Sequence, residues 1–113
     1  MLLAIDVGNT GMGLGIFEGD KLRISWRMAT SISRMPDEYA GMLLSLLHNE
    51  NLQPRDITDV CLCSVVPPMV GTLEDMFQRY FKLKPLVVGT GTKTGVKIRM
   101  DNPREVGPDR IVH

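Results

Sequence analysis

The run Asp6-Val7-Gly8-Asn9-Thr10 combines residue types that can bind a phosphate group and a metal ion at a tight turn. Backbone N–H groups in a Gly-Asn-Thr turn can form an anion-binding concavity, and the Asn and Thr side chains add donors. A carboxylate before such a turn repels a bare phosphate, so Asp6 indicates a divalent cation between the two. Magnesium commonly keeps its waters, which fits a single carboxylate. The alternative is an ordinary hairpin in which Asp6 accepts hydrogen bonds from turn N–H groups; the residues alone fit both.

The glycines that follow this run complete neither of the two common nucleotide-binding motifs. A dinucleotide fingerprint requires a helix directly after the glycines. Here Met12, Leu14 and Ile16 alternate with glycines at positions 11, 13 and 15, a period of two that predicts a strand. A P-loop requires a Gly-Lys-Ser/Thr triplet, which the sequence lacks. The turn is therefore predicted to be a β-hairpin.

A second polar cluster, residues 102–110, gathers charged side chains around one glycine and two prolines. As a binding site, Gly107 would permit close ligand approach and Asp109 could accept a proton from a hydroxyl. Arg110 could bind a carboxylate or a phosphate. The alternative is a surface loop in which Asp109 caps a helix and Arg110 is solvated. Taken alone, the cluster favours this alternative.

Three strands are predicted to position the first run. Residues 2–5 form a short apolar stretch that ends at Asp6, as in a buried strand. The alternating residues 12–16 form the second strand, and Glu18-Gly19-Asp20 predicts a turn into a third strand over residues 22–26. Successive strands joined by such short turns are antiparallel.

The rest of the chain alternates between helices and strands. Pro36 followed by two acids predicts a helix start, and a polar connection over residues 49–56 follows the helix. A strand is predicted from Val60 to Val66, ended by two prolines, and a second amphipathic helix from Met69 to Phe81. Residues 86–88 form a fifth strand. The order βββαβα(β) predicts an α/β fold with a mixed sheet and helices on its faces.

Composition restricts the classes of protein and of partner. The chain has 113 residues, enough for one domain over 1–113, and its 43% hydrophobic and 23% charged residues are ordinary for a globular protein. Thirteen basic residues balance thirteen acidic ones, so no nucleic-acid partner and no membrane partner is expected. The apolar stretch before Asp6 is too short for a signal peptide. We expect a cytoplasmic protein.

Cys61 and Cys63 are the only cysteines in the chain. They lie two residues apart in a predicted strand, so both point to one face of the sheet. Two thiols without nearby histidines are too few for a zinc site. We predict buried, reduced core thiols rather than a metal site or a disulfide.

Taken together, the motifs resemble those of the type III pantothenate kinases, bacterial enzymes of coenzyme A synthesis in the actin/hexokinase-like superfamily. The likeness covers the whole chain. Each motif is weak alone, but in this order and at these distances they are specific. They are Asp6-Val7-Gly8-Asn9-Thr10, Ser64-Val65-Val66-Pro67-Pro68, Tyr80-Phe81, Lys93-Thr94-Gly95, Asn102-Pro103-Arg104-Glu105-Val106-Gly107 and Asp109-Arg110-Ile111-Val112.

The resemblance implies a ribonuclease-H-like domain and ATP-dependent phosphorylation of pantothenate to 4'-phosphopantothenate, the first step of coenzyme A biosynthesis. It implies that Asp109 is the catalytic base on the pantothenate hydroxyl, and that the enzyme uses ATP with magnesium. We expect Asp6 to bind that magnesium through water. The ATP phosphates would be bound by Asp6, Val7, Gly8, Asn9, Thr10, Gly11, Met12 and Gly13. Pantothenate would be bound by Met100, Gly107, Pro108, Asp109 and Arg110. The implied partners also include potassium or ammonium and a second copy of the chain in a homodimer.

The sequence departs from the family pattern at three places. Pro108 stands where the family usually has alanine, and proline restricts both its own φ and Gly107. Met100 stands where many relatives place an aromatic residue against the substrate. The family also carries a second, similar domain with the adenosine and monovalent-cation sites, whereas this sequence stops at His113. We therefore expect the N-terminal domain, with the cation site outside this chain.

Two alternatives to a kinase remain from the sequence. Some proteins of this family carry the name Bvg accessory factor and have been labelled transcriptional activators. The balanced charge and the lack of a helix-turn-helix signature argue against direct DNA binding. The other alternative is a catalytically inactive fragment, because half of the nucleotide cleft would lie in the second domain.

Overall fold

Residues 1–88 form a five-stranded sheet with two α-helices and one short 3₁₀ helix, and the computed structural model describes these residues. The predicted order of strands and helices is confirmed over this range. The elements are β1 (Leu2–Val7), β2 (Gly11–Glu18), β3 (Lys21–Ala29), α1 (Pro36–Asn49), the 3₁₀ helix (Pro54–Asp56), β4 (Asp59–Ser64), α2 (Pro67–Tyr80) and β5 (Leu86–Val88).

The sheet is mixed, with strand order β3-β2-β1-β4-β5. The first three strands pair antiparallel, since short turns join them, whereas β4 pairs parallel with β1 and β5 pairs parallel with β4. The turn between β2 and β3 contains Gly19 at φ +62°, a conformation that glycine adopts at little cost. Strand β1 is central, and its carboxyl end leads directly into the Gly-Asn-Thr turn.

The two faces of the sheet differ in what they bury. Leu3, Ile5 and Val7 of β1 belong to the main core cluster, which also contains the apolar stripes of α1 and α2. The opposite face carries the alternate residues of β1, and there Ala4 and Phe17 form a small second cluster. Both α-helices of the described part of the chain therefore pack on one face. The main cluster contains Leu3, Ile5, Val7, Met12, Leu14, Ile16, Tyr39, Ala40, Leu43, Leu47, Ile57, Val60, Leu62, Val66, Met69, Leu73, Met76, Phe77 and Phe81.

Strand β1 is longer than the sequence predicted, and this moves Asp6 out of the turn. The prediction ended the strand at Ile5, but Asp6 and Val7 both pair with β2 and with β4. A polar residue can continue a strand when its neighbours on both sides supply backbone partners. Asp6 is therefore fixed by two flanking strands.

The boundary between β4 and α2 was predicted wrongly. The prediction extended the strand to Val66 and treated the two prolines only as its end. Instead, the strand ends at Ser64, whose hydroxyl oxygen accepts a hydrogen bond from the Val66 N–H at 2.9 Å. Helix α2 begins at Pro67, because proline has the φ of a first helical turn and lacks an N–H that would be unpaired there.

The remaining elements lie where they were predicted, but β3 extends to Ala29 and α1 includes Asn49. Helix α1 begins at Pro36 as predicted, and β5 covers the predicted residues. Within the predicted polar connection, Pro54–Asp56 forms a 3₁₀ turn. Cys61 and Cys63 are buried, as predicted, and within residues 1–88 neither is part of a disulfide. No helix within residues 1–88 is long and apolar enough to cross a membrane.

Candidate functional site

The ATP-binding segment expected from the sequence, residues 6–13, consists of two paired strand ends and a short turn. Asp6 and Val7 pair with Gly13 and Met12 across the β1–β2 hairpin. The Gly8 N–H donates a hydrogen bond to the Gly11 carbonyl oxygen at 2.9 Å and closes the turn. All eight predicted residues are therefore contiguous in space.

The tip of this hairpin presents unpaired donors. Asn9 and Thr10 are both exposed, and within residues 1–88 their N–H groups donate to no acceptor. The Thr10 carbonyl oxygen accepts a hydrogen bond from the Thr30 N–H at 3.1 Å, which holds the turn against the end of β3. Anchored N–H groups without partners are suited to bind an anion such as a phosphate.

The turn is so narrow that position 8 favours glycine. A Cβ atom added at this position would lie 3.0 Å from the Gly11 carbonyl oxygen, closer than real Cβ atoms normally approach a backbone atom. Any side chain at position 8 would thus push the two sides of the hairpin apart. The Gly-Asn-Thr order keeps the turn narrow and its backbone accessible.

Asp6 lies beside the turn on the face of the sheet opposite to the helices. Its register partners are Gly13 on β2 and Cys63 on β4. Gly13 contributes no side chain on the β2 side of the carboxylate, and the Arg27 guanidinium lies over that glycine. Asp6 is partly exposed, so its carboxylate can reach a hydrated ion or ligand at the hairpin.

The described part of the chain contains no group of three or more potential metal ligands. Residues 1–88 therefore offer no metal centre built from three or more His, Cys, Asp or Glu side chains. Magnesium does not need such a centre, since it is commonly held by one or two carboxylates, several waters and phosphate oxygens. The single Asp6 carboxylate beside the donor-rich turn fits magnesium bound in this way.

The start of α2 lies near the hairpin but offers few donors for an anion. The Val65 N–H donates to the Val7 carbonyl oxygen at 3.1 Å, which places the start of α2 next to the carboxyl end of β1. The first two helical residues, Pro67 and Pro68, have no N–H, and the Met69 N–H donates to Val66 at 2.9 Å. Helix N-termini bind phosphates through free N–H groups, so the hairpin turn is the better anion site.

Two residues at the end of β3 adjoin the site, and the sequence analysis assigned neither a role. Arg27 stands opposite Gly13 in the β2–β3 register, and its guanidinium lies over Gly11 and Gly13. Thr30 holds the turn through its N–H, while its hydroxyl oxygen is buried without a partner among the described residues. Arg27 occupies a polar position in an alternating strand, a pattern typical of a solvated side chain. Only the strand register reveals its location.

A groove of about 770 Å³ lies between β3 and α1. None of residues 6–13 lines it, and Arg27 is the one residue it shares with the surroundings of the hairpin. It is lined by Arg27, Met28, Arg34, Asp37, Glu38, Gly41, Met42, Ser45 and Leu46. The groove is therefore distinct from the candidate phosphate site.

The expected pantothenate-binding residues lie outside the described part of the chain. These are Met100, Gly107, Pro108, Asp109 and Arg110. The structure thus describes the first of the two predicted clusters. The expected proximity of Asp109 to the hairpin stays a prediction.

Comparison of the sequence with known protein families identifies the family of this chain. The model of the type III pantothenate kinases matches residues 2–113. The chain belongs to the type III pantothenate kinase family. This confirms the resemblance drawn from the motifs, including those of the cluster at residues 102–110.

Curated type III pantothenate kinases are similar over the whole chain. The protein from Dehalococcoides mccartyi strain 195 is 54% identical over 112 residues, which are 99% of this chain and 43% of that protein. The protein from Geobacillus kaustophilus is 50% identical over 113 residues, covering 100% of this chain and 44% of its relative. The chain therefore spans less than half the length of the curated relatives it matches.

Solved structures support the predicted fold class. A ROK hexokinase from Thermus thermophilus superposes with a TM-score of 0.58 at 11% identity, covering 88% of this chain and 38% of the hexokinase. A RuvC from T. thermophilus, in complex with a Holliday junction substrate, gives a TM-score of 0.56 at 17% identity, covering 97% of this chain and 84% of RuvC. At these identities the likeness concerns the fold. It confirms the predicted α/β fold class.

Proposed function

We propose that residues 1–113 are the N-terminal ribonuclease-H-like domain of an enzyme that transfers the terminal phosphoryl group of ATP to pantothenate. The product would be 4'-phosphopantothenate, in the first step of coenzyme A biosynthesis. The observation that carries this proposal is the narrow hairpin with unpaired Asn9 and Thr10 N–H groups beside Asp6, in a chain of the pantothenate kinase family.

The hairpin would position the phosphates of ATP. In phosphoryl transfer the protein mainly aligns the reactants and neutralises charge. The backbone donors of residues 8–10 would hold the terminal phosphates, and Gly11, Met12 and Gly13 would form the adjoining strand surface. Magnesium, when bound, supplies positive charge to the phosphates. Asp6 would orient that ion through coordinated water.

The second cluster would bind the acceptor. Asp109 would orient the pantothenate hydroxyl and finally take its proton, which in a loose transition state need not leave early. Arg110 would bind the substrate or the developing charge. Gly107, Pro108 and Met100 would line the pantothenate site.

The remaining features of the proposal come from the family resemblance. The active enzyme would be a cytoplasmic homodimer that requires potassium or ammonium. The monovalent-cation and adenosine sites would lie outside this chain, in the second domain. Full activity would therefore require more than these 113 residues.

Substitution of Asp109 by Asn tests the proposed catalysis. Residues 1–113 are joined to the part of the D. mccartyi relative that follows the match, and ATP-dependent phosphorylation of pantothenate is measured. We expect Asp109→Asn to lower kcat at least about a hundredfold, the range for loss of a general base, with ATP affinity changed less than about twofold. Asp101→Asn, which removes a nearby carboxylate without an assigned role, is the matched control.

The possible results distinguish the catalytic role of Asp109 from the proposed phosphorylation of pantothenate. Unchanged turnover of the Asp109→Asn protein would overturn the role of Asp109. If the joined chain does not phosphorylate pantothenate while the D. mccartyi protein does under the same conditions, the proposed function itself is wrong.

A further inference from the structure

Arg27 and Asp6 lie on the same face of the sheet, on either side of a glycine. Asp6 pairs with Gly13, and Gly13 pairs with Arg27 on the next strand. Residues that are directly opposite in adjacent strands project to the same face, and each strand separation is about 4.8 Å. The Cα atoms of Asp6 and Arg27 are therefore about 10 Å apart, with only the backbone of Gly13 between them.

The guanidinium of Arg27 lies over the backbone of β2 at the hairpin. Its Nη1 atom is 3.7 Å from the position that a Cβ atom would take at Gly13. Its Nη2 atom is 3.9 Å from the corresponding position at Gly11. These distances place the guanidinium group directly above the strand that follows the turn, on the face that carries Asp6.

This placement complements the charge of the proposed ligand. Asp6 adds negative charge on one side of Gly13, which is unfavourable for phosphates unless cations offset it. An arginine guanidinium remains charged at any physiological pH and donates bidentate hydrogen bonds to phosphate oxygens. Arg27 brings such a group to the other side of the same glycine.

We infer that Arg27 is a further phosphate-binding residue, which contacts the terminal phosphates of ATP from the side of Gly13 opposite to Asp6. The inference rests on the proposed function. It assigns to β3 a direct part in ligand binding.

The competing explanation is that Arg27 only stabilises the fold. Arg23, on the same strand, provides the comparison because its Nη1 lies 3.4 Å from Glu18 in an exposed ion pair. Four residues of extended strand separate the two arginines by about 13 Å. Removing Arg23 deletes the same charge without touching the hairpin.

Binding measurements on the 113-residue chain test the inference. Titration calorimetry in the presence of magnesium compares ATP, inorganic tripolyphosphate and AMP for the wild type, Arg27→Gln, Arg27→Lys and Arg23→Gln. Hydrogen bonds between charged groups contribute about 1.5–3 kcal/mol. We therefore expect Arg27→Gln to weaken ATP and tripolyphosphate binding about tenfold or more, with AMP affinity unchanged. The affinity of Arg27→Lys for ATP and tripolyphosphate should lie between those of the wild type and Arg27→Gln. The affinity of Arg23→Gln should equal that of the wild type.

Three results would overturn the inference. They are unchanged ATP affinity in Arg27→Gln, an equal loss of ATP and AMP affinity, and a wild-type chain that does not bind tripolyphosphate. Urea unfolding of each variant checks that the fold is retained, and Arg27→Lys keeps the test valid if Arg27→Gln does not fold. Pantothenate phosphorylation is measured separately. If the phosphorylation is found but one of these three binding results is obtained, the proposed function stands and this inference fails.

Discussion

Gly8 is the residue on which the geometry of the hairpin depends most directly. Substitution by Ala would place a Cβ atom 3.0 Å from the Gly11 carbonyl oxygen, so the turn must open by a few tenths of an ångström. We expect the free energy of unfolding to fall by about 1 kcal/mol and tripolyphosphate affinity to fall about tenfold, because the donors at Asn9 and Thr10 move. Urea unfolding and calorimetry measure the two effects.

Gly41 supplies the matched control for this substitution. It lies within α1, and a Cβ atom there would meet nothing within 4 Å. Since glycine in a helix interior costs about 0.5–1 kcal/mol relative to alanine, Gly41→Ala should stabilise the protein and leave phosphate affinity unchanged. Wild-type affinity in Gly8→Ala would show that the narrow turn is not needed for binding.

Thr30 provides a second prediction for a single residue. Its hydroxyl oxygen is buried without a partner within residues 1–88, and an unpaired buried polar group costs about 1–3 kcal/mol. Valine has nearly the same shape, and the N–H that holds Thr10 is retained. We expect Thr30→Val to leave the free energy of unfolding unchanged or to raise it by about 1 kcal/mol, measured in urea. A decrease of similar size would show that the hydroxyl has a partner beyond the described residues.

The segment that connects β3 to α1 is held in place by one buried side chain, that of Tyr39. The Tyr39 hydroxyl accepts a hydrogen bond from the Ser31 N–H and donates one to the Ser31 carbonyl oxygen, each at 2.9 Å. Tyr39→Phe leaves both groups of Ser31 without this partner. We expect a loss of about 1–3 kcal/mol in the free energy of unfolding, measured by urea denaturation.

Tyr80→Phe is the control, because the Tyr80 hydroxyl is bound only at the surface. It donates to Asp37 at 2.5 Å and links the two helices. This hydrogen bond raises the pKa of Tyr80 above its usual 10.0; the charge of Asp37 acts in the same direction and Arg79 opposes it. A raised pKa in the folded state means that the contribution is complete below about pH 10 and is lost as the pH rises through the raised pKa. Tyr80→Phe should therefore destabilise less than Tyr39→Phe, and its effect should disappear at high pH.

The sequence predicted the order of the elements because periodicity and turn residues act locally. It did not predict the extent of β1, since Asp6 continues that strand only because β2 and β4 flank it. It also missed that Pro67 begins α2. The hairpin turn at residues 8–10 was predictable from its residue types, whereas the position of Arg27 depends on the register across three strands. Local patterns do not contain that register.

At the scale of the whole molecule, the candidate phosphate site lies in a sequence that spans less than half the length of the curated relatives it matches. Residues 1–88 form a sheet with both α-helices on one face, and Asp6 lies on the other. The sequence spans 43% of the D. mccartyi relative and 44% of the G. kaustophilus relative. Under the proposed function, a nucleotide would be bound here through its phosphates, and its base elsewhere.

If the phosphates bind at the hairpin and the base binds elsewhere, this chain should distinguish nucleotides by their phosphates. We expect the 113-residue chain to bind ATP, GTP and tripolyphosphate with affinities within about threefold of one another, since all three present the same phosphates to the hairpin. AMP should bind at least about tenfold more weakly, because it lacks the phosphates that make the charge-assisted contacts. Competition calorimetry in magnesium measures these ratios. Joined to the remainder of the D. mccartyi relative, the chain should gain a preference for ATP over GTP; a strong preference already in the 113 residues would place the base-binding contacts within this chain.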